Sequence, residues 1–188
     1  LLAWYLADDT ASHIGPEELR RIHQAVRDID PAHITVQADP VGSPENSRYA
    51  DYVESTDGFL PELYPIRGDG PDQVPLIIRD MKTIAADLKR AGTTRKAIWA
   101  IVQVFEGWGW PRYPTDAEVR AMTYLSLIHG ATGMTYYTYG GHGKNHGATH
   151  DPRVWANLKR VAGELAQLQN VLVERDPGVK VACEVVAG

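Results

Sequence analysis

Carboxylate side chains follow two of the apolar segments that the sequence marks as buried strands. Asp8 and Asp9 come directly after the first segment, and Glu106 closes the apolar run at residues 97–105. Hydrolysis of a glycosidic bond uses two carboxyl groups. One donates a proton to the leaving oxygen, and the other attacks the anomeric carbon or activates water. The pattern therefore indicates a two-carboxyl site that pairs Asp8 or Asp9 with Glu106.

Aromatic side chains accompany these acids at the predicted strand ends. Trp108 and Trp110 follow Glu106, and tyrosines end the third and fifth segments. Sugar rings present apolar C–H faces that pack against indole or phenol rings, and polar edges that need hydrogen-bond partners. These strand ends therefore favour a carbohydrate as the bound substrate. The predicted substrate-binding residues are Asp8, Tyr64, Trp108, Trp110, Tyr137, Tyr139 and His142.

Five apolar strands alternate with amphipathic helices along the chain. The pattern predicts strands over residues 2–6, 34–38, 58–64, 97–105 and 133–137. It predicts helices that begin near residues 16, 74, 115 and 152, and a short helix over residues 47–53. Consecutive βα units form parallel sheets with right-handed crossovers, so the predicted fold is α/β, a partial TIM (β/α)₈ barrel. The strand carboxyl ends of such a barrel share one face, where function concentrates. A doubly wound sheet usually shows a glycine-rich turn after its first strand, and ADDTASHIG is not one.

Composition and charge narrow the class of protein further. The chain has 188 residues and a net charge of −5, with no basic block, which argues against nucleic acid and membrane surfaces as partners. The single cysteine, Cys183, excludes a disulfide framework. No cofactor is expected. We expect residues 1–175 to form the C-terminal part of a barrel and residues 176–188 to begin a following β-rich segment.

Four local patterns, in this order and spacing, resemble those of clan A glycoside hydrolases, the barrels whose acid/base follows strand 4 and whose nucleophile follows strand 7. They are WYLADD at 4–9, LYPI at 63–66, IVQVFEG at 101–107 and RAMTYLSLIHGATGMTYYTY at 120–139. The resemblance implies that the five strands are strands 4 to 8. The N-terminal half of the barrel would then be supplied in the same polypeptide. An extracellular or periplasmic location is favoured.

The resemblance also implies catalytic roles. Glu106 would be the nucleophile of a retaining mechanism, Asp9 would occupy the acid/base position, and Tyr64 would lie near the nucleophile. Two positions depart from the family pattern. Relatives usually place a glutamate where this chain has Asp9, and many place a tryptophan at the end of strand 8, where this chain offers Tyr137 and Tyr139.

Other interpretations of the same residues stay open. The shorter Asp9 side chain leaves an inverting mechanism open as well as a retaining one, and it is also compatible with a non-catalytic carbohydrate-binding barrel. Three histidines spaced by four, at 142, 146 and 150, are compatible with a metal-dependent barrel hydrolase, although GGHGKNHGATH is too rich in glycine for a helix. Glu106 could instead form an ion pair with Arg112. Because five strands leave two open sheet edges, we expect this chain alone to be inactive and to aggregate or dimerise.

Overall fold

A computed structural model describes residues 1–68, 73–93 and 95–174 of the chain. They contain five strands: β1 (Ala3–Ala7), β2 (Ile34–Pro40), β3 (Gly58–Leu63), β4 (Ala97–Gln103) and β5 (Gly133–Tyr137). The strands form one parallel sheet in sequence order. This arrangement confirms the predicted partial TIM barrel. The segment 176–188 lies outside the described residues.

Helices connect the strands at the expected positions. The long ones are α2 (Pro16–Ile29), α3 (Leu76–Arg90), α4 (Asp116–Ile128) and α5 (Pro152–Leu172), and a four-residue α1 (Thr10–His13) directly follows β1. The short helix predicted over residues 47–53 is a 3₁₀ turn, Tyr49–Tyr52. Helix α4 begins with a capping box: the Thr115 hydroxyl accepts from the Glu118 amide while the Glu118 carboxylate accepts from the Thr115 amide. None of the described helices is both long and apolar enough to cross a bilayer.

The two faces of the sheet bury different side chains, because successive residues of a strand point in opposite directions. Phe59 and Leu63 of β3 pack in the large cluster that includes the helices. Leu60 packs with Val36, Ala38 and Ile101 in a second cluster on the other face. The second face is the interior of the half-barrel. Burial on both faces explains why the strands are apolar nearly throughout.

A close approach between β4 and β5 depends on a glycine. Gly133 lies in register with Trp99, and a Cβ atom at position 133 would overlap the indole ring. Glycine therefore lets Trp99 lie flat against the neighbouring strand on the interior face. The sheet is open at its edges: among the described residues, β1 pairs only with β2 and β5 only with β4.

Candidate active site

A cavity of about 950 Å³ lies at the carboxyl edge of the sheet. Residues at or just after the ends of all five strands line it, as expected for the functional face of a barrel. Its volume lies near the upper end of the range for small-molecule sites, which is about 300–1,000 Å³. Its described lining residues include Tyr5, Asp8, Asp9, Pro40, Glu62, Tyr64, Arg67, Arg79, Ile101, Phe105, Trp108, Trp110 and Tyr137.

The cavity brings together six of the nine residues that the sequence marked as catalytic or substrate-binding. Asp8 and Asp9 follow β1, the first edge strand of the sheet, and the other four residues contribute aromatic rings. The six are Asp8, Asp9, Tyr64, Trp108, Trp110 and Tyr137. Glu106, Tyr139 and His142 are not among the described residues that line it. The functional roles of all nine stay predictions.

An aromatic cluster forms one wall of the cavity. The Tyr64 ring contacts Phe105 edge-on at 5.1 Å and Tyr137 at 5.9 Å between ring centroids. The indole nitrogen of Trp110 donates a hydrogen bond to the Tyr64 carbonyl oxygen over 3.1 Å, and the Arg67 guanidinium lies 5.0 Å from the Trp110 ring centroid. Burial raises the pKa of Tyr64, so its hydroxyl remains a hydrogen-bond donor. This wall offers both flat rings and phenol groups to a ligand.

Gln103 holds the segment that carries Tyr64. The buried Gln103 side chain accepts a hydrogen bond from the Ile66 amide over 3.0 Å and donates to the Ile66 and Phe105 carbonyl oxygens. A glutamine within a buried strand is costly unless its polar atoms are satisfied. These bonds satisfy it and link the segments after β3 and β4 behind the cavity wall.

Glu62 is a cavity residue that the sequence analysis missed. It lies near the end of β3, and its carboxyl group faces Asp8 and Asp9. Burial raises the pKa of Glu62 to about 8, with further contributions from the negative charges of Asp9 and Asp8 and from a hydrogen bond to Asp8. Glu62 therefore carries a proton at neutral pH. The sequence signal for Glu62 is its position two residues after Leu60, because alternate residues of a strand share one face of the sheet.

The loop after β1 orients Asp8 and Asp9. The Tyr5 hydroxyl donates a hydrogen bond of 2.9 Å to Asp8 Oδ1. Asp9 adopts a left-handed backbone conformation (φ 47°), which is uncommon outside glycine and is found at functional sites. The buried Asp39 side chain of β2 supports this loop, because its Oδ1 accepts from the Ala11 amide over 2.8 Å and its Oδ2 accepts from Gln37 over 2.9 Å.

Glu106 lies at the rim, where it is joined to the loop after β5. Its amide donates to the His146 carbonyl oxygen over 3.2 Å, and the His146 amide donates back over 2.9 Å. The side chains also meet, since Glu106 Oε1 lies 3.3 Å from His146 Nδ1. Arg112, the ion-pair partner considered for Glu106, has its guanidinium on Glu118 instead, with bonds of 2.8 and 2.9 Å.

The remaining predicted residues lie away from the cavity wall. Tyr139 packs edge-on against Trp155 of α5 and lines a separate apolar cavity of about 310 Å³. The His142 ring is 6.4 Å from Trp108, and the His146 ring stacks on His150 at 5.3 Å. Across residues 1–68, 73–93 and 95–174, the structure shows no group of three or more His, Cys, Asp or Glu side chains arranged to hold a metal ion.

Comparisons with known proteins agree with the expected fold. No known family profile and no curated protein sequence matches the chain. Among solved structures, a β-galactosidase from the haloarchaeon Halorubrum lacusprofundi is similar, with a TM-score of 0.63 and 21% identity over 80% of this chain and 25% of that chain. A β-galactosidase from Marinomonas ef1 has a TM-score of 0.60 and 16% identity over 86% of this chain and 28% of that chain.

Bee venom hyaluronidase is also similar, with a TM-score of 0.53 and 16% identity over 85% of this chain and 54% of that chain. The chain thus spans between about a quarter and about half of the length of these three glycoside hydrolases. The resemblance to barrel glycoside hydrolases, expected from the sequence motifs, is confirmed at the level of the fold.

Proposed function

We propose that this chain carries the active site of a glycoside hydrolase that cleaves O-glycosidic bonds of a glycan in the 950 Å³ cavity. The observation that carries the proposal is the cavity itself. It combines the carboxyl groups of Asp8 and Asp9 with a wall of aromatic rings at the carboxyl edge of a parallel sheet. The solved structures with a similar fold support it, because their names describe enzymes that act on glycosides or glycans.

The substrate would bind through stacking and hydrogen bonds. The half-exposed Trp108 ring offers a face to a sugar ring at the rim, and Trp110 and the Tyr64 and Tyr137 phenols line the wall deeper in. Sugar hydroxyls need donors as well as acceptors. The phenols supply donors, and the carboxyl groups of Asp8 and Asp9 supply acceptors.

Catalysis would use a pair of carboxyl groups, by a retaining mechanism. The cavity supports Asp9 as one member, because Asp9 is exposed within it and its backbone conformation is strained. The role of Glu106 as nucleophile stays a prediction, since its carboxylate is joined to His146 at the rim.

The proposal includes three further βα units in the same polypeptide. A (β/α)₈ barrel closes with eight strands, and closure removes both sheet edges. The described sheet has five strands, and Trp4 and Tyr5 of its first strand are exposed by 41% and 52%. Strands supplied upstream would pair with β1 and β5 and cover these rings. Without those strands we expect the chain to be inactive and to aggregate or dimerise.

The test is hydrolysis by the full-length enzyme of a panel of aryl glycosides and polysaccharides, compared with the Asp9→Asn variant. We expect wild-type turnover and a loss of at least about 10³-fold in kcat for the variant, because a catalytic carboxylate is replaced by a neutral amide. Asp28→Asn, an exposed aspartate of α2, is the matched control and should behave as wild type. Wild-type turnover by Asp9→Asn would contradict the assignment.

A non-catalytic carbohydrate-binding barrel is the second candidate. The observation that favours it is Asp9 itself, which is one methylene shorter than the glutamate usual at this position in the resembling family. Calorimetry separates the two candidates. Saturable binding of glycans without hydrolysis of any of them would establish the binding barrel and overturn the hydrolase.

A further inference from the structure

Glu62 lies in the floor of the cavity, on the central strand of the five. In register it pairs with Pro40 of β2 on one side and Ile101 of β4 on the other, and both neighbours also line the cavity. These flanking residues are apolar and provide no positive charge. Within the described part of the chain, Glu62 has no ion-pair partner.

The groups that face Glu62 are carboxyls and phenols. From β1 and its loop come Asp8, Asp9 and Tyr5, and β2 contributes Asp39. The titratable phenols that interact with it electrostatically are Tyr5, Tyr49, Tyr64 and Tyr137. Arg67, Arg79 and Asp80 also line this cavity. Negative neighbours and burial both favour the neutral form of a carboxyl group.

The carboxyl groups of Glu62, Asp8 and Asp9 line the same cavity. Asp8 accepts a hydrogen bond from the Tyr5 hydroxyl over 2.9 Å. Burial and the negative charges of Asp9 and Asp8 raise the pKa of Glu62, so Glu62 is the member of this group that carries a proton. The cavity that we assign to the substrate therefore contains a protonated carboxyl group.

We propose that Glu62 is the general acid of this cavity, donating its proton to the glycosidic oxygen of the leaving group. The inference rests on the proposed glycoside hydrolase function and names a proton donor that neither the motifs nor the comparisons assign. It also makes Asp9, the exposed carboxyl group of the same cavity, the nucleophile in place of Glu106.

The reaction balances in two steps. First, Asp9 forms a bond to the anomeric carbon while the bond from that carbon to the leaving oxygen breaks; the electron pair stays on the oxygen, which takes the proton from Glu62. Second, the Glu62 carboxylate removes a proton from a water molecule, whose oxygen attacks the anomeric carbon and releases Asp9. Water is consumed, Glu62 regains its proton, and the sum is hydrolysis of one glycosidic bond.

The experiment compares Glu62→Gln with wild type in the full-length enzyme, using dinitrophenyl and unsubstituted phenyl glycosides. Dinitrophenolate leaves without protonation, whereas phenolate needs an acid. We expect kcat/KM on phenyl glycosides to fall by about 10²–10⁴ and on dinitrophenyl glycosides by less than about tenfold. The alkaline limb of the wild-type pH profile, set by the Glu62 pKa of about 8, should disappear in the variant.

Glu18→Gln, an exposed glutamate at the start of α2, is the matched control and should keep wild-type kinetics. Infrared spectroscopy provides a readout that does not depend on turnover: at neutral pH the wild type should show the C=O band of a buried protonated carboxyl group, and this band should be absent in Glu62→Gln.

Three outcomes overturn the inference. One is an unchanged pH profile with equal turnover of both substrate types. Another is an equal loss on both types, which marks a purely structural residue. The third is absence of the infrared band from the wild type. If wild type hydrolyses no glycoside at all, the proposed function falls, and the role of Glu62 falls with it. If wild type is active and only the Glu62 results disagree, the function stands without this residue.

Discussion

Two carboxyl groups at the same edge of the sheet differ in nearly every physical respect. Glu62 faces the half-barrel interior between apolar neighbours, beside the negative charges of Asp8 and Asp9, and its pKa is raised to about 8. Glu106 lies at the rim with its side chain about one-third exposed and a histidine ring at 3.3 Å. Glu62 is therefore held neutral, whereas the Glu106 side chain contacts solvent and a histidine ring.

The difference shows that two carboxyl groups near strand ends at the same edge of a sheet can have opposite surroundings. Glu106 directly follows Phe105, whose ring occupies the cavity wall, and the backbone of Glu106 is bonded to the loop after β5. Glu62 lies two residues after Leu60, so strand alternation directs it to the interior. What matters for proton transfer is which face of the strand a side chain leaves and what surrounds it there.

The largest expected effect concerns how stability depends on pH. The folded-state pKa of Glu62, about 8, lies above its ordinary value of 4.5, so the folded state binds this proton more tightly. The stabilisation is complete below about pH 4.5 and is lost as the pH rises towards 8. We expect the free energy of unfolding, measured with urea, to fall by roughly 2–4 kcal/mol over this window through Glu62.

Glu62→Gln should remove this decrease of the free energy of unfolding with pH, and Glu106→Gln should leave it unchanged. If the free energy of unfolding of Glu62→Gln fell with pH as steeply as that of wild type, the two carboxyl groups would not differ in the way described.

An intermediate loss of stability is expected for a substitution at Gly107, which follows the backbone hydrogen bonds between Glu106 and His146. Gly107 has φ +105°, and a Cβ atom there would overlap the Lys144 carbonyl oxygen and lie 2.8 Å from Asn145 Cα. Gly107→Ala should therefore destabilise the protein by about 1–3 kcal/mol, seen as a lower Tm.

Gly109 is the matched control, because it also has a positive φ (+96°) but open space around its Cβ position. Gly109→Ala should cost only the backbone strain, about 1–2 kcal/mol or less. Equal losses in Tm for the two variants would mean that the contact with the loop after β5 does not constrain Gly107.

The smallest effect is expected for Glu106→Gln. The exposed pair with His146 is worth less than about 1 kcal/mol, and the two backbone hydrogen bonds between these residues remain. If Asp9 is the nucleophile, as inferred above, kcat in the hydrolysis assay should change by less than about tenfold. Complete loss of turnover with an unchanged Tm would instead establish Glu106 as the nucleophile predicted from the sequence and would reverse the comparison.

Much of the fold could be predicted because it depends on local patterns. Apolar runs of strand length, helical spacing of apolar residues and the Thr115–Glu118 capping box each act within a few residues, and the structure confirms them. The predicted strand ends were one or two residues too long at β3 and β4, where the chain leaves the sheet at Tyr64 and Val104.

The site was predictable only in part, because its chemistry depends on contacts between distant segments. Asp8, Asp9 and the aromatic residues were found from their positions after strands. The partner of Glu106 was not, since His146 lies 40 residues further along the chain. The raised pKa of Glu62 depends first on its burial and then on the charges of Asp9 and Asp8, more than 50 residues earlier, and no local pattern encodes either.

The sequence by itself determined the order of strands and helices, the parallel sheet and the enrichment of acids and aromatic rings along one edge, because hydrophobic periodicity and capping are local properties of the chain. Only the tertiary structure decided which carboxyl groups meet, which one is buried and which is exposed at the rim. The physical reason is that proton affinity depends on the distance to other charges and on exclusion of water, and both are set by packing between strands that are far apart in sequence.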